Sequence, residues 1–134
     1  WMKNLDCLFL DRDDLRQGME VILTAIEKVK NGISICIYPE GTRNTTDQTL
    51  LPFKKGSFKI AQRSGCPIIP VTVNNTRDIF EAHPWYIKSQ HVIIEYGAPV
   101  YYKDLEKEDQ KNINEYVQAI IEKTYLKNQE LLKK

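Results

Sequence analysis

No stretch of the 134-residue chain approaches the roughly 20 consecutive apolar residues that a membrane-spanning helix requires. Charge of one sign is missing too. Nineteen Lys and Arg against 18 Asp and Glu leave a net charge of +1, which argues against a dedicated nucleic-acid binder. Histidine is scarce: His83 and His91 are the only two side chains suited to neutral-pH proton transfer. Neither has an aspartate or serine at a spacing that suggests a catalytic pair. The three cysteines, Cys7, Cys36 and Cys66, are odd in number and widely spaced, and each lies in or beside an apolar run. That pattern suits buried, reduced thiols in a cytosolic compartment, not a disulfide framework. A metal site needs clustered ligands, and none are clustered here. No repeat, low-complexity segment or linker interrupts the chain. The opening Trp1-Met2-Lys3-Asn4 leads straight into a strand-like run, so no signal peptide is expected.

What is present fits one domain with a single core. Residues 5–10 (LDCLFL) read as a strand, followed by Asp11-Arg12-Asp13-Asp14. Asp13 or Asp14 caps an expected helix over 15–30, with Leu15, Met19, Ile22, Ile26 and Val29 on one core-facing side. Asn31-Gly32 stops it. The apolar run 33–38 then reads as a buried strand ending in Pro39-Glu40-Gly41-Thr42-Arg43-Asn44. Pro39 and Gly41 turn the backbone, leaving Glu40, Thr42 and Arg43 at the strand's carboxyl end, where open α/β sheets place ligands. Arg43 offers a fork of donors suited to phosphate or carboxylate. A plain polar turn with a surface arginine is the competing reading of this stretch alone.

Chain order adds weight. Strand, helix, strand with parallel strands implies a right-handed crossover, which brings Arg12 and Arg43 to one sheet edge. Pro52-Phe53-Lys54-Lys55-Gly56 leads into an expected helix over 57–63, capped near Gly56 or Ser57 and ended by Ser64-Gly65. A helix start preceded by lysines suits an anion, or is simply a solvated lysine pair. A strand over 68–73 completes a second crossover and carries Arg77, the lesser ligand candidate, toward the same edge. Residues 78–90 read as a covering loop. A strand over 91–96 follows, with His91 and Glu95 on an exposed face. A long amphipathic helix, broken once, is expected over 104–132, its apolar side formed by Ile113, Tyr116, Val117, Ile120, Ile121 and Tyr125.

These residues also resemble a known family, the PlsC-type glycerolipid acyltransferases that act on 1-acylglycerol-3-phosphate (lysophosphatidic acid). Phe9-Leu10-Asp11-Arg12 resembles the family's second motif, and Tyr38-Pro39-Glu40-Gly41-Thr42-Arg43-Asn44 its third, with Tyr38 for Phe and Asn44 for Ser. Pro52 to Gly56 resembles the segment that follows, Ile68-Ile69-Pro70-Val71 the fourth motif, and Gly97 with Pro99 a late Gly-x-Pro. The shared order and spacing cover the chain up to about Pro99.

The resemblance implies an α/β fold: a mixed, largely parallel sheet flanked by helices and incomplete at its N-terminus. Residues 1–134 are then the later part of one acyltransferase domain. The family's first motif, Asn-His with Asp after four residues, is absent from these residues and is expected upstream. It would supply the general base, so the chain alone is expected to be inactive and to contain no catalytic residue. By match, Arg12 and Arg43 hold the acceptor phosphate, Glu40 and Gly41 shape the acceptor site, Thr42 supports the loop, and Pro70 lies nearer the acyl region. No cofactor or metal is implied. Acyl-CoA or acyl carrier protein presents the acyl thioester, lysophosphatidic acid accepts, and phosphatidic acid is the product. The membrane is reached through the upstream part, at the cytoplasmic face. Two alternatives stay open: a non-catalytic phosphate- or anionic-lipid-binding module, and a sister acyltransferase with another acceptor.

Overall fold

The structure, a computed structural model, describes residues 7–9, 15–83 and 85–133. The elements run in the order α1 (Leu15–Lys30), α2 (Lys59–Ser64), β1 (Val71–Asn74), β2 (Ile93–Tyr96), α3 (Lys107–Lys111) and α4 (Ile113–Leu132). Strands and helices are mixed as expected, and the small described sheet packs against α4 on one face.

Helix α1 forms where the three-and-four spacing predicts. Ala25 and Ile26 are buried and pack with Ile60 of α2, supported by Leu8, Ile22, Val29 and Ile35. Met19, expected in this core, is exposed instead. The reason is length. At about 1.5 Å per residue, α2 with its 6 residues covers only the later turns of the 16-residue α1. The helix ends in a Schellman arrangement: the Ile33 N–H donates to the Lys28 carbonyl and the Gly32 N–H to that of Val29, both at 3.0 Å. Gly32 sits at φ +84°, a conformation costly for any residue with a Cβ.

A second core joins Phe53 and Phe58 to Ile113 and Val117 of α4, with Leu50, Ile68, Tyr102, Leu105, Tyr116 and Ile121 around them. The apolar stripe expected on the last helix is therefore the one used. The expected single break falls at Asn112, whose φ of −114° and ψ of 35° separate α3 from α4.

Further expectations change. Residues 33–38 carry no strand ladder among the described residues. A strand exists only through its hydrogen-bonded neighbours, and the neighbour expected here, residues 5–10, is described only at 7–9. Cys36 on this segment and Cys7 are exposed, and Cys66 is half-buried, so the thiols are free but not buried. The helix expected from 57 begins at Lys59, after a 3-10 turn over Lys55–Phe58. Lys54 and Lys55 therefore do not flank its first turn. Finally, the described ladder is antiparallel, pairing Val71 with Tyr96, Thr72 with Glu95, Val73 with Ile94 and Asn74 with Ile93. An isolated antiparallel bridge, Ile68 with Val100, extends it. The parallel crossover pairing is not found among the described residues.

The two faces of this hairpin are unlike. Thr72 and Asn74 face α4 and are buried, while Val71, Val73, Ile94 and Tyr96 share the opposite face and are exposed. Asn74 donates from Nδ2 to the Tyr125 carbonyl at 3.0 Å, and Glu95 meets Lys127 Nζ at 2.8 Å. The Glu95 face, expected to be exposed, is thus turned to α4. The Lys127 hydrogen bond holds the Glu95 carboxyl below its usual range. The Asn128 amide adds to this from nearby without completing a bond, since its Nδ2 and Oδ1 both lack a partner of proper geometry.

Candidate acceptor-binding site

The turn that begins the site is fixed by backbone geometry. The Gly41 N–H donates to the Tyr38 carbonyl at 3.0 Å, and Gly41 takes φ +70°. A glycine tolerates that value without strain. The Lys54 side chain lies over it: a Cβ on Gly41 would stand 3.6 Å from Lys54 Cγ and Cε.

The chain then returns past its own turn. The Lys54 N–H donates to the Pro39 carbonyl at 2.8 Å, and the Leu51 N–H to Glu40 Oε2 at 2.9 Å. Glu40 is therefore a brace between residues 39–41 and 51–54. Helix α4 holds the other side of the brace. Gln118 Oε1 accepts from the Phe53 N–H at 3.1 Å, and Asn114 Nδ2 donates to the Phe53 carbonyl at 3.3 Å. Asn114 and Gln118 stand four apart, one turn on the same side of the helix. Burial of Phe53 seats the segment, and these amides set its register.

Beyond the turn, Asn44 organises its own loop. Its Oδ1 accepts from the Thr46 N–H at 2.9 Å and the Thr46 hydroxyl at 2.7 Å, and its Nδ2 donates to the Gln48 carbonyl at 2.8 Å. Thr42 is exposed on a bend. The Arg43 side chain is 77% exposed, with Nη1 3.3 Å from Glu81 Oε1. Arg43, Asn44, Thr45, Arg77 and Glu81 line one cavity of about 240 Å³. The structure thus brings Arg77 to Arg43. Arg12 lies outside the described residues.

The arrangement suits an anion. Two guanidinium groups line one cavity, and a carboxylate already sits against one of them. An exposed ion pair of this kind contributes only about 0–1 kcal/mol, so a better anion displaces it readily. Neither histidine lines this cavity: His83 stacks on Tyr86 with ring centroids 5.0 Å apart, and the His91 carbonyl accepts from Asn75 Nδ2. Among the described residues no group of three or more His, Cys, Asp or Glu is placed to hold a metal ion.

Sequence reasoning missed Glu81, Asn114 and Gln118. The last two had a legible signal, amides at i and i+4 flanking the apolar stripe, which reads equally as a solvated helix face. Glu81 had none, since it lies in the irregular segment between the strands.

A family model described as Acyltransferase matches residues 1–74, more than half of the chain, and the chain belongs to that family. It is similar to a 1-acyl-sn-glycerol-3-phosphate acyltransferase of Saccharomyces cerevisiae, 32% identical over 114 residues, covering 84% of this chain and 37% of that protein. The protein of the same name from Haemophilus influenzae is 31% identical over 117 residues, covering 87% and 48%. The fold is similar to the crystal structure of the 1-acyl-sn-glycerophosphate (LPA) acyltransferase PlsC from Thermotoga maritima. That match has a TM-score of 0.70 at 30% identity, and covers 81% of this chain and 46% of that one. The chain spans less than half the length of each of these three relatives.

Proposed function

We propose that this chain forms the acceptor-phosphate side of a 1-acylglycerol-3-phosphate acyltransferase. The observation that carries the reading is the cavity shared by Arg43 and Arg77, placed directly after a turn braced by Glu40. The acceptor's phosphate takes the place of the Glu81 carboxylate on Arg43, and Arg77 supplies the second cation. Arg12, from the expected second motif, would be a further donor to the same phosphate. Gly41 lets the backbone turn tightly before Arg43, and Thr42 lies between them.

The reaction that fits is acyl transfer. The acceptor's free hydroxyl oxygen attacks the thioester carbonyl, the carbon–sulfur bond breaks, and an ester forms. The hydroxyl proton passes to a base and on to the departing thiolate. The chain's own contribution is positional: it fixes the phosphate so that the hydroxyl is held at a set distance from the thioester. The base belongs to the Asn-His-x4-Asp motif, which these 134 residues do not contain. Acyl-CoA or acyl carrier protein would bring the donor, at the cytoplasmic face of a membrane.

The test is thiol release by the protein that includes the upstream motif region. Release that requires both thioester and 1-acylglycerol-3-phosphate supports the reading. Binding of the acceptor without any release would instead establish a phosphate-binding module, and release with another lysolipid alone a sister enzyme.

A further inference from the structure

Between β1 and β2, the described residues 79–83 and 85–88 form a loop that leaves Phe80, Trp85, Tyr86 and Ile87 exposed. Its neck is tied by the Lys88 N–H donating to the Ile79 carbonyl at 2.8 Å. Inside, Ala82 N–H bonds the Arg77 carbonyl, His83 N–H that of Phe80, and Tyr86 N–H that of His83. The loop therefore meets much of its own hydrogen-bonding need and holds a shape. Yet Trp85 is 93% exposed and Ile87 77%, with Phe80 and Tyr86 also exposed. Tryptophan is highly buried on average, so four large apolar side chains displayed together on one loop mark a docking surface.

We infer that this loop seats the protein on an anionic lipid surface, with Trp85 and Ile87 at the boundary between headgroups and acyl chains. Trp and Tyr with a following Lys is the composition that suits this layer: amphipathic rings lie in it and the ammonium reaches back to water. Charge complementarity selects the surface. Arg77 and Lys88 stand at the neck, and Arg43 faces Glu81 of the loop. The cations Arg43, Arg77 and Lys88 outnumber the carboxylates Asp78 and Glu81 of the same region by one, and Glu81 is the one that an anionic headgroup would displace from Arg43. The exposed sheet face runs to the same end of the hairpin, where Val73 and Ile94 form a cross-strand pair. The anionic preference shares Arg43 and Arg77 with the proposed acceptor site and rests on that reading, whereas the seating of Trp85 and Ile87 does not and is tested without acceptor.

The chain has two tryptophans, Trp1 and Trp85, so a Trp1→Phe variant of the 134-residue protein reports on Trp85 alone. It is mixed with vesicles of phosphatidylcholine and phosphatidylglycerol carrying brominated acyl chains, and bound protein is separated by flotation, which leaves aggregates behind. The expected result is a blue-shifted Trp85 emission quenched by bromines near the headgroups. In a Trp85→Ala, Ile87→Ala variant with unchanged far-UV circular dichroism, the floating fraction falls by about tenfold or more. A Leu131→Ser variant, altered at an exposed apolar residue of α4, floats as before. Unshifted emission, or flotation indifferent to the double variant, overturns the proposal. So does a shift that grows with protein concentration without vesicles, which would mean a second copy covers the loop. Equal partition into phosphatidylcholine alone overturns the anionic preference.

Discussion

Two segments meet at Arg43, and they are built differently. Residues 39–54 are tied by the Glu40 carboxylate, by the Lys54 to Pro39 hydrogen bond, and by Asn114 and Gln118 on α4. Residues 79–88 hold themselves through bonds inside their own loop and reach Arg43 through one exposed ion pair. The first segment is anchored to the core by a buried Phe53; the second displays its aromatics to the outside. The difference shows how an arginine is rooted in a tied segment while its counter-ion is held only by an exposed pair. The rigid side sets where Arg43 begins, and the adjustable side supplies a carboxylate that, on the proposed function, an incoming phosphate would displace.

The sharpest way to break this contrast is to unseat the rigid side. Phe53→Ala removes a side chain that is 5% exposed and central to the second core, and should cost about 3–5 kcal/mol, read by denaturant unfolding. A loss below about 1 kcal/mol would mean that the segment is not anchored by that ring.

Paired carboxylate deletions come next. Glu40→Ala leaves the Leu51 N–H without its acceptor and should lower stability by about 1–2 kcal/mol. Glu81→Ala should change stability by less than about 0.5 kcal/mol, because its ion pair with Arg43 is largely exposed. It should at the same time tighten binding of phosphate at the cavity, measured by titration. Equal stability losses for the two variants would erase the distinction between brace and counter-ion.

The smallest effect belongs to the sheet and α4. Glu95 has its carboxyl held low by Lys127, so it binds protons more weakly folded than unfolded. The pair's stabilisation is present above the ordinary carboxylate value of 4.5 and fades as pH falls through the lower folded value. Lys127→Met should therefore narrow the Tm difference from the parent protein as pH drops through this window. A difference that is constant with pH would remove the pair from the account.

Much of this was legible in the sequence, for identifiable reasons. Helix α1 and the Ile113-Val117 face of α4 follow from local spacing, and Gly32 and Gly65 stop their helices with φ of +84° and +76°. Exposure was harder to read. Met19 lies on the apolar side of α1 and Cys36 in an apolar run, yet both stand exposed, because burial depends on how far α2 reaches and on which neighbours adjoin residues 33–38. At the site, the Glu-Gly-Thr-Arg stretch marked itself through turn chemistry and an arginine at its end. The partner that sequence order suggested, Arg12, is outside the described residues, while the lesser candidate Arg77 shares the cavity. Order along the chain tells which loops reach an edge. It does not tell which side chains of those loops meet, and that depends on how the loop over 78–90 folds back on itself.

The central claim is that Arg43 holds the acceptor's phosphate and leaves the donor alone. Steady-state kinetics of Arg43→Ala in the protein that carries the upstream motif test it directly. Losing a charge-assisted contact of about 1.5–3 kcal/mol should raise the acceptor KM by roughly ten- to a hundredfold. The thioester KM should stay within about twofold of the parent value. An unchanged acceptor KM, or an equal rise for both substrates, would contradict the account.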